Sequence, residues 1–167
     1  MTEIHWTLFK GTAHQFYSNI IDLRYAVLRK PWNQPRSSAM DTTDPASYHV
    51  TGHFKNQLVA CGRLTLNNNT GQIRYMAVLP DFQGQGLGKK LMECLENEAR
   101  QHSVTELVLN ARENALDFYS RCGYLNAGYV FTLWEKIPHY KMYKVLNSKS
   151  SNAPANSEST RPNTEPF

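Results

Sequence analysis

The chain has no five-residue run of Lys and Arg, no apolar stretch of membrane-spanning length and no cysteine pair at metal-ligand spacing. The first absence argues against a nucleic-acid stripe, since the excess of 18 basic over 14 acidic residues is spread along the sequence. The second excludes a transmembrane helix. Three cysteines (Cys61, Cys94 and Cys122) are an odd number. They suit a reduced, cytoplasmic protein with neither a disulfide framework nor a metal. Cys94 and Cys122 fall on apolar helix faces, where free cysteine packs as a small hydrophobe. Glu3, His5 and Lys10 leave no room for a signal peptide in the first ten residues. Carboxylates are also missing between Asp44 and Asp81, so that stretch holds no acidic base.

What is there is a single globular domain. An apolar share of 41% in 167 residues is enough for one sizeable core. The domain is expected over 1–146, with a disordered tail over 147–167 that is nearly all Ser, Asn, Pro, Thr and Glu.

Glycine is scarce, nine residues, yet three of them alternate in Gln83-Gly84-Gln85-Gly86-Leu87-Gly88. Before this segment Ile73–Leu79 reads as a strand. After it Leu87–His102 reads as a helix, with Leu87, Leu91, Leu95 and Ala99 on one face. A strand, a glycine turn and a helix N-terminus in that order build an anion site, because the first helical N–H groups have no internal partner and the helix dipole adds positive charge there. The glycine spacing is not that of a dinucleotide fingerprint, and Lys90 stands where a Walker loop needs Ser or Thr.

Elsewhere Ile4–Phe9 alternates as a strand, and Ala13–Arg29 is an amphipathic helix that Thr12 can cap and Pro31 stops. Pro31–Ser47 is irregular, in the manner either of a functional loop or of a covering loop whose Trp32 plugs a core edge, with room for a short helix. Tyr48–Phe54 and Leu58–Leu66 form a hairpin, and Asn67–Gly71 turns the chain into the Ile73 strand. Glu106–Asn110 is predicted parallel to that strand through a right-handed crossover. A helix capped by Asn114 and ended by Gly123 follows, then strands near Ala127–Leu133 and Tyr140–Leu146.

Gln83-x-x-Gly86-x-Gly88 after a strand resembles the acyl-CoA-binding segment of the GNAT N-acetyltransferase superfamily. A second match, Asn114-Ala115-Leu116-Asp117-Phe118-Tyr119-Ser120-Arg121-Cys122-Gly123-Tyr124, is similar to that family's later helix. Leu23–Arg29 and Ile137–Met142 look like a bacterial, ElaA-like subgroup. The resemblance implies an α/β (α+β) GNAT fold: a central mixed, mostly antiparallel sheet of six to seven strands flanked by about four helices. It also implies an acetyl-CoA-dependent transfer to a primary amine, small molecule or peptide, with no metal. Neither nucleic acid nor membrane is an expected partner, and a homodimer is left open.

By the same resemblance, N–H groups of Gln83, Gly84, Gln85, Gly86, Leu87, Gly88 and Lys89 would cradle the CoA pyrophosphate. The main chain of Met76, Ala77 and Val78 would pair with the pantetheine arm, and Asn114 would bond a pantetheine amide. Tyr119 would be the general acid for the leaving thiolate. The strand glutamate that serves as base in several members has no counterpart here, which leaves His49, His53, His139, Glu135 or water. For the acceptor site Trp32, Asp41, Asp44, Trp134 and Glu135 are candidates, the acids suiting a cationic acceptor. The competing readings are a catalytically silent CoA-binding regulatory module and a regulator holding another phosphate.

Overall fold

The computed structural model describes residues 3–147. The predicted tail, apart from Asn147, lies outside them. Seven strands form one sheet: β1 (Ile4–Lys10), β2 (Tyr48–Phe54), β3 (Gln57–Asn67), β4 (Thr70–Val78), β5 (Glu106–Arg112), β6 (Leu125–Leu133) and β7 (Ile137–Val145). Their order is β1-β2-β3-β4-β5-β7-β6, and every neighbouring pair is antiparallel except β4 and β5. The mixed, mostly antiparallel sheet therefore stands as the sequence suggested. Three α-helices and several short 3-10 turns surround it: α1 (Tyr17–Arg24), α2 (Leu87–Gln101) and α3 (Leu116–Arg121). No helix among the described residues is long and apolar enough to cross a membrane.

The amphipathic pattern of α2 fixes its seat. Leu87, Leu91, Leu95 and Ala99 are all buried, together with Met92, against Leu64, Ile73 and Leu107 of the sheet. Burying each such leucine contributes about 1.5–3 kcal/mol. The opposite face carries a smaller core, in which Ile20 and Leu23 of α1 meet Cys61 and Ala77.

Two caps expected from the sequence are not made. The first helix begins at Tyr17, not Ala13, and has no side-chain cap. Its approach is a turn in which His14 Nδ1 accepts the Phe16 N–H at 3.1 Å, so Thr12 lies too far back. Asn114 likewise does not cap α3; it sits inside a 3-10 turn, Glu113–Ala115, that precedes the helix. The first helix keeps its predicted end, but its last residues, Tyr25–Arg29, form a π-helical turn.

Parallel pairing of β4 with β5 lasts for only three residues, Thr70 to Gln72 against Glu106 to Val108. Beyond that point the strands part. β4 also carries a bulge: Gly62 of β3 faces both Tyr75 and Met76, and Tyr75 has φ +54°. A left-handed tyrosine stores strain of order 1–3 kcal/mol. Its ring is held among the guanidinium groups of Arg24, Arg63 and Arg74, at 4.2, 4.9 and 4.8 Å from its centre.

Candidate active site

The gap between β4 and β5 opens into a cavity of about 380 Å³. Ile73, Arg74, Tyr75 and Met76 line it from β4, and Leu109, Asn110 and Arg112 from β5. α3 adds Ala115 and Tyr119; the end of the first helix adds Leu28 and Arg29; the β6–β7 hairpin adds Phe131, Leu133, Trp134 and His139.

The glycine segment stands beyond the far end of β4. Gly84 and Gly86 have φ of +75° and +84°, a region only glycine adopts without strain, and no atom lies within 4 Å of where a Cβ would stand. Gln83 to Gly86 are exposed, whereas Leu87 is buried and Gly88 half-buried. The first α2 main-chain bond is Lys90 N to Gly86 O at 3.1 Å, so the N–H groups of Leu87, Gly88 and Lys89 have no partner inside the helix. Gly88 has a packing duty as well: a Cβ there would meet the Phe118 ring at 3.1 Å. Gln83 differs from its neighbours, since its N–H already donates to Pro80 O at 3.2 Å. Its side-chain amide donates to Val78 O at 2.9 Å.

The Val78 carbonyl therefore faces away from β3, in keeping with the main-chain bond that follows it. Leu79 N donates to Val59 O at 2.9 Å, so by alternation the peptide groups of Val78 and Met76 turn toward the gap, whereas Ala77 turns toward β3.

Tyr119 is buried, 9% exposed, and reaches the cavity from α3. Burial pushes its phenol well above the ordinary range, the nearby Cys122 adding to the effect and Arg112 opposing it. The group stays protonated at any physiological pH. Asn114 is exposed at the foot of α3, next to the cavity-lining Ala115.

Among the four base candidates only His139 lines the cavity. Its Nδ1 lies 2.9 Å from Ile137 O, and a carbonyl can only accept, so Nδ1 carries the proton and Nε2 is the acceptor in the neutral ring. Burial lowers its pKa; the positive charges of Arg112, Arg29 and Arg74 lower it further, against the Ile137 bond. His49 is buried elsewhere, between Asp44 O and Arg24.

Two of the three acids expected in an acceptor site, Asp41 and Asp44, are committed to ion pairs. Asp44 is fully buried and binds Arg24 Nη1 and Arg63 Nη1, each at 2.9 Å, while accepting the Tyr17 hydroxyl at 2.6 Å. Burial alone would raise its pKa, but these partners hold it below the ordinary carboxylate value. Asp41 pairs with Arg63 and Arg74 at 3.3 and 3.0 Å. Among the five residues named for the acceptor, Trp134 alone lines the cavity. Sequence reasoning missed Arg29, Arg112 and Asn110. The alternation Val108-x-Asn110-x-Arg112, opposite the apolar Leu107-x-Leu109-x-Ala111, was the available signal for the last two.

A parted parallel strand pair, a glycine-turned helix N-terminus beside it and a buried phenol at the foot of the gap together define an N-acyltransferase fold. The family model for the acetyltransferase (GNAT) family matches residues 15–124. An uncharacterized N-acetyltransferase of Bacillus subtilis, YjcF, is 28% identical over 122 residues, covering 73% of this chain and 87% of that protein. An acyl-CoA N-acyltransferase from Pseudomonas aeruginosa is 25% identical with a TM-score of 0.74, over 85% of this chain and 99% of its own. Escherichia coli ElaA shares the fold at 20% identity, with the same TM-score of 0.74 over 85% of this chain and 99% of that one. The chain belongs to the GNAT acetyltransferase family. It is an acyl-CoA-dependent N-acetyltransferase.

Proposed function

We propose that this chain transfers acetyl from acetyl-CoA to a primary amine by direct attack within the cavity between β4 and β5. The observation that carries the reading is the position of Tyr119: α3 brings this buried, protonated phenol to the gap, and the first turn of α2 packs on the same helix through Gly88 against Phe118. The residues fit the cosubstrate. Gly84 and Gly86 leave open space in front of the loop, and the α2 N-terminus offers N–H groups and a positive dipole end to a pyrophosphate. Met76 turns its peptide group toward the gap, and Val78 its N–H, where an extended amide arm takes the place of a strand; the Val78 carbonyl already accepts from the Gln83 side chain. Gly88 serves the site through its packing on Phe118, and Asn114 stands ready for an amide of the arm.

When bound, acetyl-CoA supplies the activated acyl group. The chain does the rest. A β4 main-chain N–H, at Met76 or Val78, stabilises the developing oxyanion. Tyr119 faces the departing sulfur as the acid: its phenol donates a hydrogen bond to the developing thiolate, and because burial raises its pKa above the ordinary thiol value of about 8.5 the proton is shared rather than fully given up. His139 Nε2, or water beside it, takes the proton of the amine. The acceptor amine enters from the side of the first helix and the β6–β7 hairpin. The protein works in the cytoplasm.

The test is a pair of measurements on wild type and Tyr119→Phe. Acetyl-CoA at 100 times its Kd adds about 2.7 kcal/mol of stability to a protein that binds it. Both proteins are expected to show that gain, while thiol release in the presence of amines falls about a hundredfold in the variant. An unchanged rate removes Tyr119 as the acid. Absence of any acetyl-CoA response in the wild type overturns the reading.

A further inference from the structure

The cavity contains two guanidinium groups that have no carboxylate. Arg29, at the end of the first helix, donates from Nη1 to Leu28 O at 3.1 Å and from Nε to Ser38 O at 3.2 Å. Arg112, at the end of β5, donates from Nη2 to the same Leu28 O at 3.2 Å. One carbonyl oxygen therefore holds both cationic heads side by side. Neither belongs to any ion pair among the described residues, whereas Arg24, Arg63 and Arg74 all pair with Asp44 or Asp41. None of the residues lining the cavity is an acid.

Such an arrangement is unfavourable by itself. Arg29 is only 9% exposed. Burial lowers the pKa of each group, and for Arg112 the charge of Arg29 is the next cause. Yet the geometry is held firmly, with the Arg29 head lying 5.2 Å over the Trp134 ring and 5.6 Å over the Tyr75 ring. Two desolvated, forked donors fixed beside each other are complementary to a planar or tetrahedral oxyanion.

The donor phosphates do not supply that anion in the proposed binding mode. Leu109 and Ala111 pack in the α2-side core, so by strand alternation Arg112 emerges on the opposite face of the sheet, with the first helix. The helix N-terminus proposed for the pyrophosphate belongs to α2 on the other face.

We infer that the acceptor is an amine that also bears a carboxylate or phosphate, bound between Arg29 and Arg112 so that its amine lies toward Tyr119. This rests on the transferase reading above and names its substrate class. It replaces the cationic acceptor expected from Asp41 and Asp44. A simple amine would bring a third positive charge to a pair that already repel, whereas a zwitterionic amine neutralises one.

The experiment uses the full chain, acetyl-CoA and matched acceptors: amino acids of varied side chain, their primary amides, the corresponding decarboxylated amines, and aminophosphonates. Thiol release is followed for each. Turnover is expected for the members bearing a carboxylate or phosphonate, with kcat/KM lower by about tenfold or more for the counterparts that lack the acid. A preference among amino acids or among aminophosphonates decides which oxyanion it is. Arg112→Gln, at a half-buried position, is expected to raise the acceptor KM about tenfold or more, erase the preference for the acid-bearing member and leave the KM for acetyl-CoA unchanged. Equal or better use of the amines that lack the acid overturns the inference and leaves the transferase standing. So does a failure to use the acid-bearing acceptors when acetyl-CoA binds. Failure of acetyl-CoA itself to bind overturns the transferase reading, and this inference with it.

Discussion

Replacing Asp44 by alanine removes the one carboxylate shared by Arg24 and Arg63. Its side chain is 0% exposed and those of the two arginines 1% each. The substitution therefore leaves two positive charges in the interior, and Arg24 Nε and Arg63 Nε already lack a partner. Breaking a buried pair in this way costs about 3–5 kcal/mol. Asp41 lies 3.3 Å from Arg63 Nη1 and can take over part of the load, which favours the lower end, about 3 kcal/mol. That is a large part of the 5–15 kcal/mol that hold a typical domain together, roughly speaking. Urea unfolding at neutral pH measures it as a lower midpoint at unchanged slope. The pH dependence has a definite sign. The folded-state pKa of Asp44 is depressed, so its contribution is complete above the ordinary carboxylate value of about 3.9 and is lost as pH falls through the folded value. The gap between variant and wild type should close only in that acidic range. Asp22→Ala, which breaks an exposed pair with Arg36, is the control and should cost less than about 1 kcal/mol. If Asp44→Ala costs no more than this control, the buried cluster is not what fixes Arg24 and Arg63 beside Tyr75.

Two further tests bear on the site and on the histidines. Gly86→Asp and Gly86→Ala both force a side chain into φ +84°, at a conformational cost of about 1–2 kcal/mol, but only Asp sets a carboxylate before the α2 N-terminus. Calorimetric titration should show acetyl-CoA binding kept by Ala and lost by Asp; equal binding by both would remove the helix end as the anion site. His49, His53 and His139 all have pKa values lowered, chiefly by burial, so they stay neutral in the folded chain below the ordinary value. The unfolded chain takes up these protons from about pH 6.5 downward, so the melting temperature should fall as pH drops from 6.5 through the folded values. A melting temperature constant from pH 7.5 to 5 would contradict that burial.

The parts legible in the sequence were those written in apolar periodicity and glycine. The stripe Leu87, Leu91, Leu95 and Ala99 placed α2, and Gly84 and Gly86 marked a turn that the backbone does make with positive φ. The meander of β2, β3 and β4 and the parallel crossover to β5 followed from strand and turn signals. Long-range charge was illegible. Asp44 meets Arg24 and Arg63 across separations of 20 and 19 residues, and periodicity, which sets Arg24 beside an apolar face and finds no pattern around Asp44, carries nothing that joins them. For the same reason Arg29 and Arg112 looked unrelated until the fold brought both to Leu28 O. Nor could Tyr75, a good strand former, announce a left-handed backbone; the bulge opposite Gly62 imposes it.

The short join of β4 to β5 makes the sheet a lever. Its fulcrum is the three-pair segment, pinned at its outer end where Thr105 N donates to Asn69 O and Leu146 N donates to Thr105 O, both at 2.8 Å. From Gln72 to Val78, about 20 Å at the usual rise of a strand, β4 keeps its pairing with β3 but has no strand partner on the β5 side. A tilt of about 3° at the fulcrum then shifts the far end by about 1 Å, a displacement able to cost about a hundredfold in rate. Asn69, Thr105 and Leu146 do not line the cavity, yet their main-chain bonds hold the end of the sheet from which β4 and β5 part.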